Sequence, residues 1–139
     1  MKKIFSTDLP RNYGHVALLI FRVTAASFML LGHGIGKLQR LLSGEEIQFA
    51  DPYGFGPAAS LVMVTFAEFF CSILVILGLA TRLAVIPLMI TMATAVIFAH
   101  ANDPFGTKEK PLLFLLIFAL LLVFGSGRYS VDRALERRR

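Results

Sequence analysis

Four long apolar runs, which charged residues hardly interrupt, dominate this sequence. The hydrocarbon core of a bilayer is about 30 Å thick, and a helix crosses it with about 20 apolar residues. Only helices and closed barrels satisfy their backbone hydrogen bonds in lipid, and barrel strands alternate apolar and polar residues. Because these runs do not alternate, we predict an all-α bundle of four transmembrane helices. The predicted spans are residues 16–36, 58–80, 83–101 and 111–127.

The composition supports a membrane protein with almost no soluble mass. Hydrophobic residues make up 56% of the 139 residues and charged residues only 17%. A soluble domain has about 45–50% apolar and about 25% charged residues. One bundle uses the whole chain, so we predict a single membrane domain over residues 1–139.

Polar segments separate the apolar runs. Residues 37–57 and 102–110 contain Gly and Pro turn signals, and we expect both to be loops. Thr81 and Arg82 leave room only for a tight turn. The basic tail, residues 129–139, predicts a short surface helix.

The positive charges predict the orientation. Of the 14 Lys and Arg residues, nine fall in the N-terminal segment, the 81–82 turn and the C-terminal segment, four fall in the other two loops, and Arg22 lies within a span. Cytoplasmic segments carry the excess of Lys and Arg. We therefore predict both termini in the cytoplasm, in a multi-pass protein of the inner (plasma) membrane. The net charge of +5 then reflects topology, and we expect the bilayer, not nucleic acid, as the partner.

Four ionisable residues within or at the ends of the spans are the first candidates for chemistry, because such groups are costly in a membrane. At 1.5 Å per residue, His33 and His100 lie about 25 Å above the cytoplasmic boundary and Glu68 about 18 Å above it. Side chains lean toward the N-terminus of their own helix, so these three lean toward a common level, whereas Arg22 leans away. We predict His33, Glu68 and His100 as catalytic residues.

Neighbouring positions extend this polar set. Arg22, His33 and Lys37 follow one face of the first helix, and Thr65, Glu68 and Ser72 follow one face of the second. We predict Arg22, Lys37 and Asp103 as substrate-binding residues. Gly32 and Gly36, spaced as a small-xxx-small pair, predict a close approach between helices.

Each of these residues also has a structural interpretation. Arg22 could extend to the lipid headgroups, Lys37 could anchor the helix at the interface, and His33 could bond a neighbouring helix. His33, Glu68 and His100 could in principle ligate a metal, but their spacing is not diagnostic and we predict no metal site. Cys71, the one cysteine, is expected to be a packing residue; it excludes a disulfide or dithiol mechanism carried by this chain alone.

The order of several short motifs resembles the DoxX family of small four-helix membrane proteins over residues 15–132. The motifs are Arg22, Gly32-His33-Gly34-Ile35-Gly36-Lys37-Leu38, Ala67-Glu68, Leu77-Gly78-Leu79-Ala80-Thr81-Arg82, Asp103-Pro104-Phe105, Glu109-Lys110-Pro111 and Gly125-Ser126-Gly127-Arg128-Tyr129-Ser130-Val131-Asp132. The resemblance implies a link to membrane redox processes, namely thiosulfate oxidation to quinone, responses to quinones and catechols, and oxidative stress. It transfers no catalytic motif.

Three functions remain open at this point. The first is a membrane redox component that handles a quinone or similar lipophilic substrate, with His33, Glu68 and His100 exchanging protons with the substrate oxygens. The second is a non-catalytic scaffold or accessory subunit for a redox partner protein. The third is a small-molecule transporter; four helices are few for a transporter, so this function would require a homo-oligomer. The residues do not decide whether the chain is itself an enzyme.

Overall fold

A computed structural model describes residues 11–138, and this range is helical without any strand. Helix α1 comprises Arg11–Met29, a π-helical turn Leu30–Gly34 and Ile35–Leu42; α2 comprises Pro57–Thr65, a π-helical turn Phe66–Cys71 and Ser72–Leu77; α3 comprises Thr81–Thr94 and a π-helical turn Ala95–Ala99; α4 is Phe105–Phe124; α5 is Val131–Glu136. The all-α prediction is confirmed for this range.

Three helices are long and apolar enough to cross a membrane: Asn12–Leu42, Pro57–Leu77 and Thr81–Ala99. The 20-residue α4 is also strongly apolar but carries Lys108, Glu109 and Lys110 in its first turns. The chain is therefore a helical membrane protein. Large apolar side chains such as Ile20, Leu31, Leu83 and Val123 are exposed on the outer surfaces of these helices, as expected for contact with lipid.

Several helix ends differ from the sequence prediction, two of them by six residues. Helix α1 continues to Leu42, and α4 begins at Phe105, so parts of both predicted loops are helical. Lys, Arg, Gln and Glu are good helix formers, and a helix does not have to end where the hydrocarbon ends. A tight turn follows α2, as predicted, but the predicted position was wrong. The turn lies at residues 78–80, where Gly78 takes a φ of 70° and Ala80 a φ of 48°, and Thr81 and Arg82 are already the first residues of α3. The predicted tail helix is α5.

The bundle has two distinct ends, which we name by their connections. The loop end contains residues 43–56 and 100–104, and the turn end contains residues 78–80 and 125–130 together with α5. Between them lies a core of buried apolar side chains: Ala26, Met29, Cys71, Val75, Ala84, Val85, Leu88, Met92, Phe118 and Leu121. Cys71 is a packing residue there, as predicted. Thr65, Glu68 and Ser72 are all buried, so the predicted polar face of α2 turns inward.

The close approach of α1 to α2 occurs at Gly34. A Cβ atom at Gly34 would lie 2.5 Å from the carbonyl oxygen of Glu68, whereas Gly32 and Gly36 have no atom within 4 Å of a Cβ position. The small-xxx-small prediction was therefore wrong about which glycine makes the contact. The π-helical turns change which residues face the neighbouring helix, and a regular 3.6-residue repeat does not anticipate this shift.

Candidate functional site

The three predicted catalytic residues all occur at π-helical turns. His33 lies in Leu30–Gly34, Glu68 lies in Phe66–Cys71, and His100 directly follows Ala95–Ala99. Such turns are rare and are frequently found at functional sites. The sequence analysis did not predict them, because no residue pattern considered there distinguishes a π turn from an ordinary helical turn.

Glu68 and Lys37 form a buried ion pair between α1 and α2. The Nζ atom of Lys37 lies 2.5 Å from Oε2 of Glu68, whose side chain is only 3% exposed, against 23% for Lys37. The absence of a side chain at Gly34 lets the two helices come close enough for this contact. A carboxylate removed from water needs a partner of opposite charge, and Lys37 supplies it. The sequence predicted Glu68 as a catalytic residue and Lys37 as a substrate-binding residue but did not predict that they pair.

His33 and His100 have different surroundings. The ring of His33 packs edge-on against Phe114, with 6.2 Å between the ring centroids. In His100, Nδ1 lies 2.7 Å from Oδ2 of Asp103. With Nδ1–H donating to this carboxylate, the ring is fixed and Nε2 is left as the proton-accepting nitrogen. Asp103 contacts the His100 ring directly and does not itself line the cavity.

One large cavity connects these residues. It measures about 1400 Å³, and its lining includes His33, Lys37, Glu68 and His100. Most of the remaining lining is apolar or aromatic, including Phe66, Val62, Ile90, Phe98, Pro111 and Phe114. Ordinary ligand pockets measure about 300–1,000 Å³ and combine apolar walls with a few convergent polar groups. The cavity has that composition and exceeds that size.

The loop between α1 and α2 forms one wall of the cavity. Phe49, Tyr53 and Phe55 line it. The hydroxyl of Tyr53 lies 2.7 Å from that of Thr94, and its ring lies 5.6 Å from the ring of Phe98 on α3. The loop thus contacts α3 through Tyr53. The sequence predicted only a loop here. Its role as a cavity wall depends on contacts between residues about 40 positions apart, which no local pattern reveals.

Asp51 holds the base of this loop. Its carboxylate accepts hydrogen bonds from the backbone N–H groups of Phe55 and Gly56 and from the hydroxyl of Ser60. The Ser60 hydrogen bond, with those of the backbone, keeps the pKa of Asp51 below its usual value. Gly56 has a φ of 94°, which favours glycine, and Pro57 then begins α2.

Arg22 lies at the turn end, away from the cavity. Its side chain is 1% exposed. The guanidinium donates to the carbonyl oxygens of Ser126, at 2.5 Å, and Tyr129, at 3.0 Å. A Cβ atom on Gly78 would collide with this guanidinium. Arg22 thus ties the segment after α4 to α1 and α2, and of the three predicted substrate-binding residues only Lys37 lines the cavity.

The side chains of residues 11–138 do not form the arrangement that a metal ion needs. No group of three or more His, Cys, Asp or Glu side chains in this range is arranged to hold a metal ion. His33, Glu68 and His100 line the same cavity without converging on one point in that way.

Fold and site together define a helical membrane protein whose apolar cavity contains a small set of ionisable groups. The family model described as DoxX matches residues 17–101, and the chain belongs to the DoxX family. The resemblance noted in the sequence is thereby confirmed. The matched range contains Arg22, His33, Lys37, Glu68 and His100, whereas Asp103 lies outside it.

A curated relative is also similar to part of the chain. This is the uncharacterized membrane protein Rv3486 of Mycobacterium tuberculosis (strain ATCC 25618 / H37Rv), 36% identical over 85 residues, with 51% of this chain and 52% of the relative covered. The chain thus spans about half the length of the curated relative that it matches. No solved structure matches the chain.

Proposed function

We propose that this chain is a component of membrane redox chemistry that binds a quinone or a similar lipophilic carbonyl compound in the cavity at the loop end. The observation that carries the proposal is the lining of that cavity: His33, Lys37, Glu68 and His100 border a space whose other walls are mostly apolar and aromatic side chains. A quinone has the matching character, because it combines a flat apolar ring with two polar oxygens.

The proposed role of the polar residues is proton exchange. Reduction of a quinone to a quinol takes up two electrons and two protons, one proton for each ring oxygen. His33 and the His100–Asp103 pair carry imidazoles, which exchange protons near neutral pH. Lys37 and Glu68 form a charged pair at the cavity wall that could bind a developing quinol oxyanion or pass a proton to it.

Electrons have to come from a separate redox partner. The single cysteine, Cys71, is buried in the core and cannot form a dithiol within this chain. We therefore propose that the chain binds the lipophilic substrate and exchanges protons with it, while a partner protein transfers the electrons. This combines substrate binding with the accessory role that the sequence left open.

The proposed setting is the inner membrane, with α4 as a fourth span. The apolar part of α4, from Pro111 to Phe124, is short for a span, but its buried residues Phe118 and Leu121 belong to the same core as α2 and α3. Lys108 and Lys110 can extend their charged ends toward the interface. This arrangement would place the turn end, with its excess of Arg, in the cytoplasm.

Binding of quinones to purified protein tests the proposal. The full chain in lipid nanodiscs would be titrated with short-chain ubiquinone and menaquinone analogues, and binding measured by native mass spectrometry. We expect saturable binding, weakened about tenfold or more by Glu68→Gln, because a hydrogen bond to a charged group contributes about 1.5–3 kcal/mol. Ala95→Phe should reduce binding by filling the cavity, since Ala95 lines it.

Glu109→Gln provides the matched control. Glu109 is exposed in the first turns of α4 and does not line the cavity. Its substitution should leave quinone binding unchanged, and circular dichroism should show that all three variants keep their helical content. Absence of saturable binding in the wild type, or equal losses in Glu68→Gln and Glu109→Gln, would refute the proposal.

A further inference from the structure

A second groove, of about 880 Å³, lies at the turn end. It is bordered by the start of α3, the end of α4, the segment 125–128 and α5. We call it the turn-end groove. It shares no lining residue with the cavity at the loop end, so its role is independent of the proposed function.

Positive charge dominates the turn-end groove. Its lining contains four arginines and two carboxylates, and the arginines are Arg82, Arg128, Arg133 and Arg137. The two carboxylates are already engaged within the chain. Asp132 accepts the backbone N–H groups of Ala80 and Thr81, and Glu136 pairs with Arg133 at 2.8 Å.

Three arginines of the groove therefore retain donors for a ligand. Arg82 bonds the carbonyl oxygen of Val123 through one nitrogen, and Arg128 makes a 3.4 Å contact with the side chain of Asn12. Within residues 11–138, neither these two nor Arg137 has a carboxylate in ion-pair contact. A planar guanidinium matches the oxygens of a phosphate group and can bind two of them at once.

The rim of the groove is apolar and faces outward. Leu83 at the start of α3 is 69% exposed and Phe124 at the end of α4 is 65% exposed, and both line the groove. Leu135 of α5 lines it as well and is also exposed. These side chains lie where helices that cross the bilayer reach its surface. A fitting ligand is therefore anionic at one end and apolar at the other.

We propose that the turn-end groove binds an anionic phospholipid. The phosphate lies among Arg82, Arg128 and Arg137, and an acyl chain runs over Leu83 and Phe124 toward the hydrocarbon. Basic pockets between transmembrane helices bind anionic headgroups in this manner. The lipid would link the start of α3 to α5 across the groove and so strengthen the packing of α5 against the bundle.

Native mass spectrometry of the full chain, transferred from a zwitterionic detergent, tests this proposal. The probes are short-chain phosphatidylglycerol, phosphatidylcholine with the same acyl chains, and inorganic phosphate. We expect phosphatidylglycerol to bind at least about tenfold more tightly than phosphatidylcholine, because about 1 kcal/mol for each arginine near the headgroup corresponds to about fivefold in affinity. Inorganic phosphate lacks the acyl chain and should bind more weakly than phosphatidylglycerol.

Two adjacent arginines give a matched pair of variants. Arg137 lines the groove, whereas Arg138 is exposed and does not. Arg137→Gln should weaken phosphatidylglycerol binding about fivefold. Arg137→Lys keeps the charge without the bidentate geometry and should weaken binding less than Arg137→Gln, and Arg138→Gln should leave it unchanged. Equal losses in the two Gln variants would mean general surface attraction and would overturn the proposal. Equal affinity for the two lipids, or tight binding of inorganic phosphate alone, would also overturn it.

Discussion

At the scale of single residues, replacing the pair of Lys37 and Glu68 should affect stability and function differently. The carboxyl side chain is 3% exposed, so its charge depends on Lys37. Removing one partner of a buried pair costs about 3–5 kcal/mol, whereas replacing both partners is often nearly neutral. A purely structural site therefore loses little when an apolar pair replaces the charged one. A proton-exchanging site loses its function.

A double-mutant cycle measures how strongly the two residues stabilise each other. We expect Lys37→Met to destabilise the protein by about 3 kcal/mol, and Glu68→Gln by less, because the partly exposed Lys37 can still reach water. The double variant should be closer to wild type than the sum of the single changes predicts. The measurement is the free energy of unfolding in detergent micelles, followed by circular dichroism. Strict additivity would mean that the two residues do not interact.

The meeting of three ionisable residues at one cavity was predictable from the sequence, but residue pairing was not. Helix rise and direction place His33, Glu68 and His100 near one level, and all three line one cavity in the structure. The partner of Glu68 depends on how α1 rotates about its axis, which the π-helical turn at Leu30–Gly34 alters. The partners of Arg22 are backbone oxygens 54 to 107 positions away, and no local pattern encodes them.

At the scale of helices, Gly34 fixes the distance between α1 and α2. We expect Gly34→Ala to destabilise the protein by about 1–3 kcal/mol, the usual range for overpacking, because the added Cβ would lie 2.5 Å from the carbonyl oxygen of Glu68. Gly36→Ala is the matched control, since its Cβ would meet no atom within 4 Å. Thermal unfolding in detergent compares the two. Equal midpoints in both variants would contradict a close contact at Gly34.

The loop wall of the cavity should open in acid. The folded-state pKa of Asp51 is lowered by the hydrogen bonds that the carboxylate accepts. The stabilisation is therefore complete above the ordinary Asp pKa of about 3.9 and is lost as the pH falls through the lowered value. Hydrogen exchange at the amides of Phe55 and Gly56, corrected for intrinsic rates, should accelerate below about pH 4. In Asp51→Asn this pH dependence should be absent; its persistence would assign the titration to another group.

Hydropathy identified the helices but not all of their ends. It located the apolar segments, while α1 continues through Lys37 and Arg40 to Leu42 and α4 includes Lys108, Glu109 and Lys110. Hydropathy reports which residues enter lipid, whereas helix formation depends on propensity and capping. The predicted second span runs to residue 80, whereas α2 ends at Leu77, because Gly78 takes a left-handed conformation there and stops the helix.

At the scale of the whole molecule, the position of α4 decides the topology. Three helices have the length and composition of spans, and α4 has the length but carries three charges near its start. It packs along α3, and its Phe118 and Leu121 are fully buried in the shared core. A helix bound this closely to a spanning neighbour is expected to share its environment. Four spans would place α5 and the 78–80 turn on the same side of the membrane.

Site-directed labelling in whole cells tests this arrangement. In a Cys71→Ala background, single substitutions Glu46→Cys, Asn102→Cys and Ala134→Cys place thiols at exposed positions of the two ends. With four spans and the arginine-rich turn end in the cytoplasm, a membrane-impermeant maleimide should label positions 46 and 102 in intact cells and position 134 only after permeabilisation. Labelling of position 134 alongside 46 and 102 in intact cells would mean that α4 does not cross. Labelling of position 134 alone would instead reverse the orientation, because the same four spans would then present the turn end to the outside.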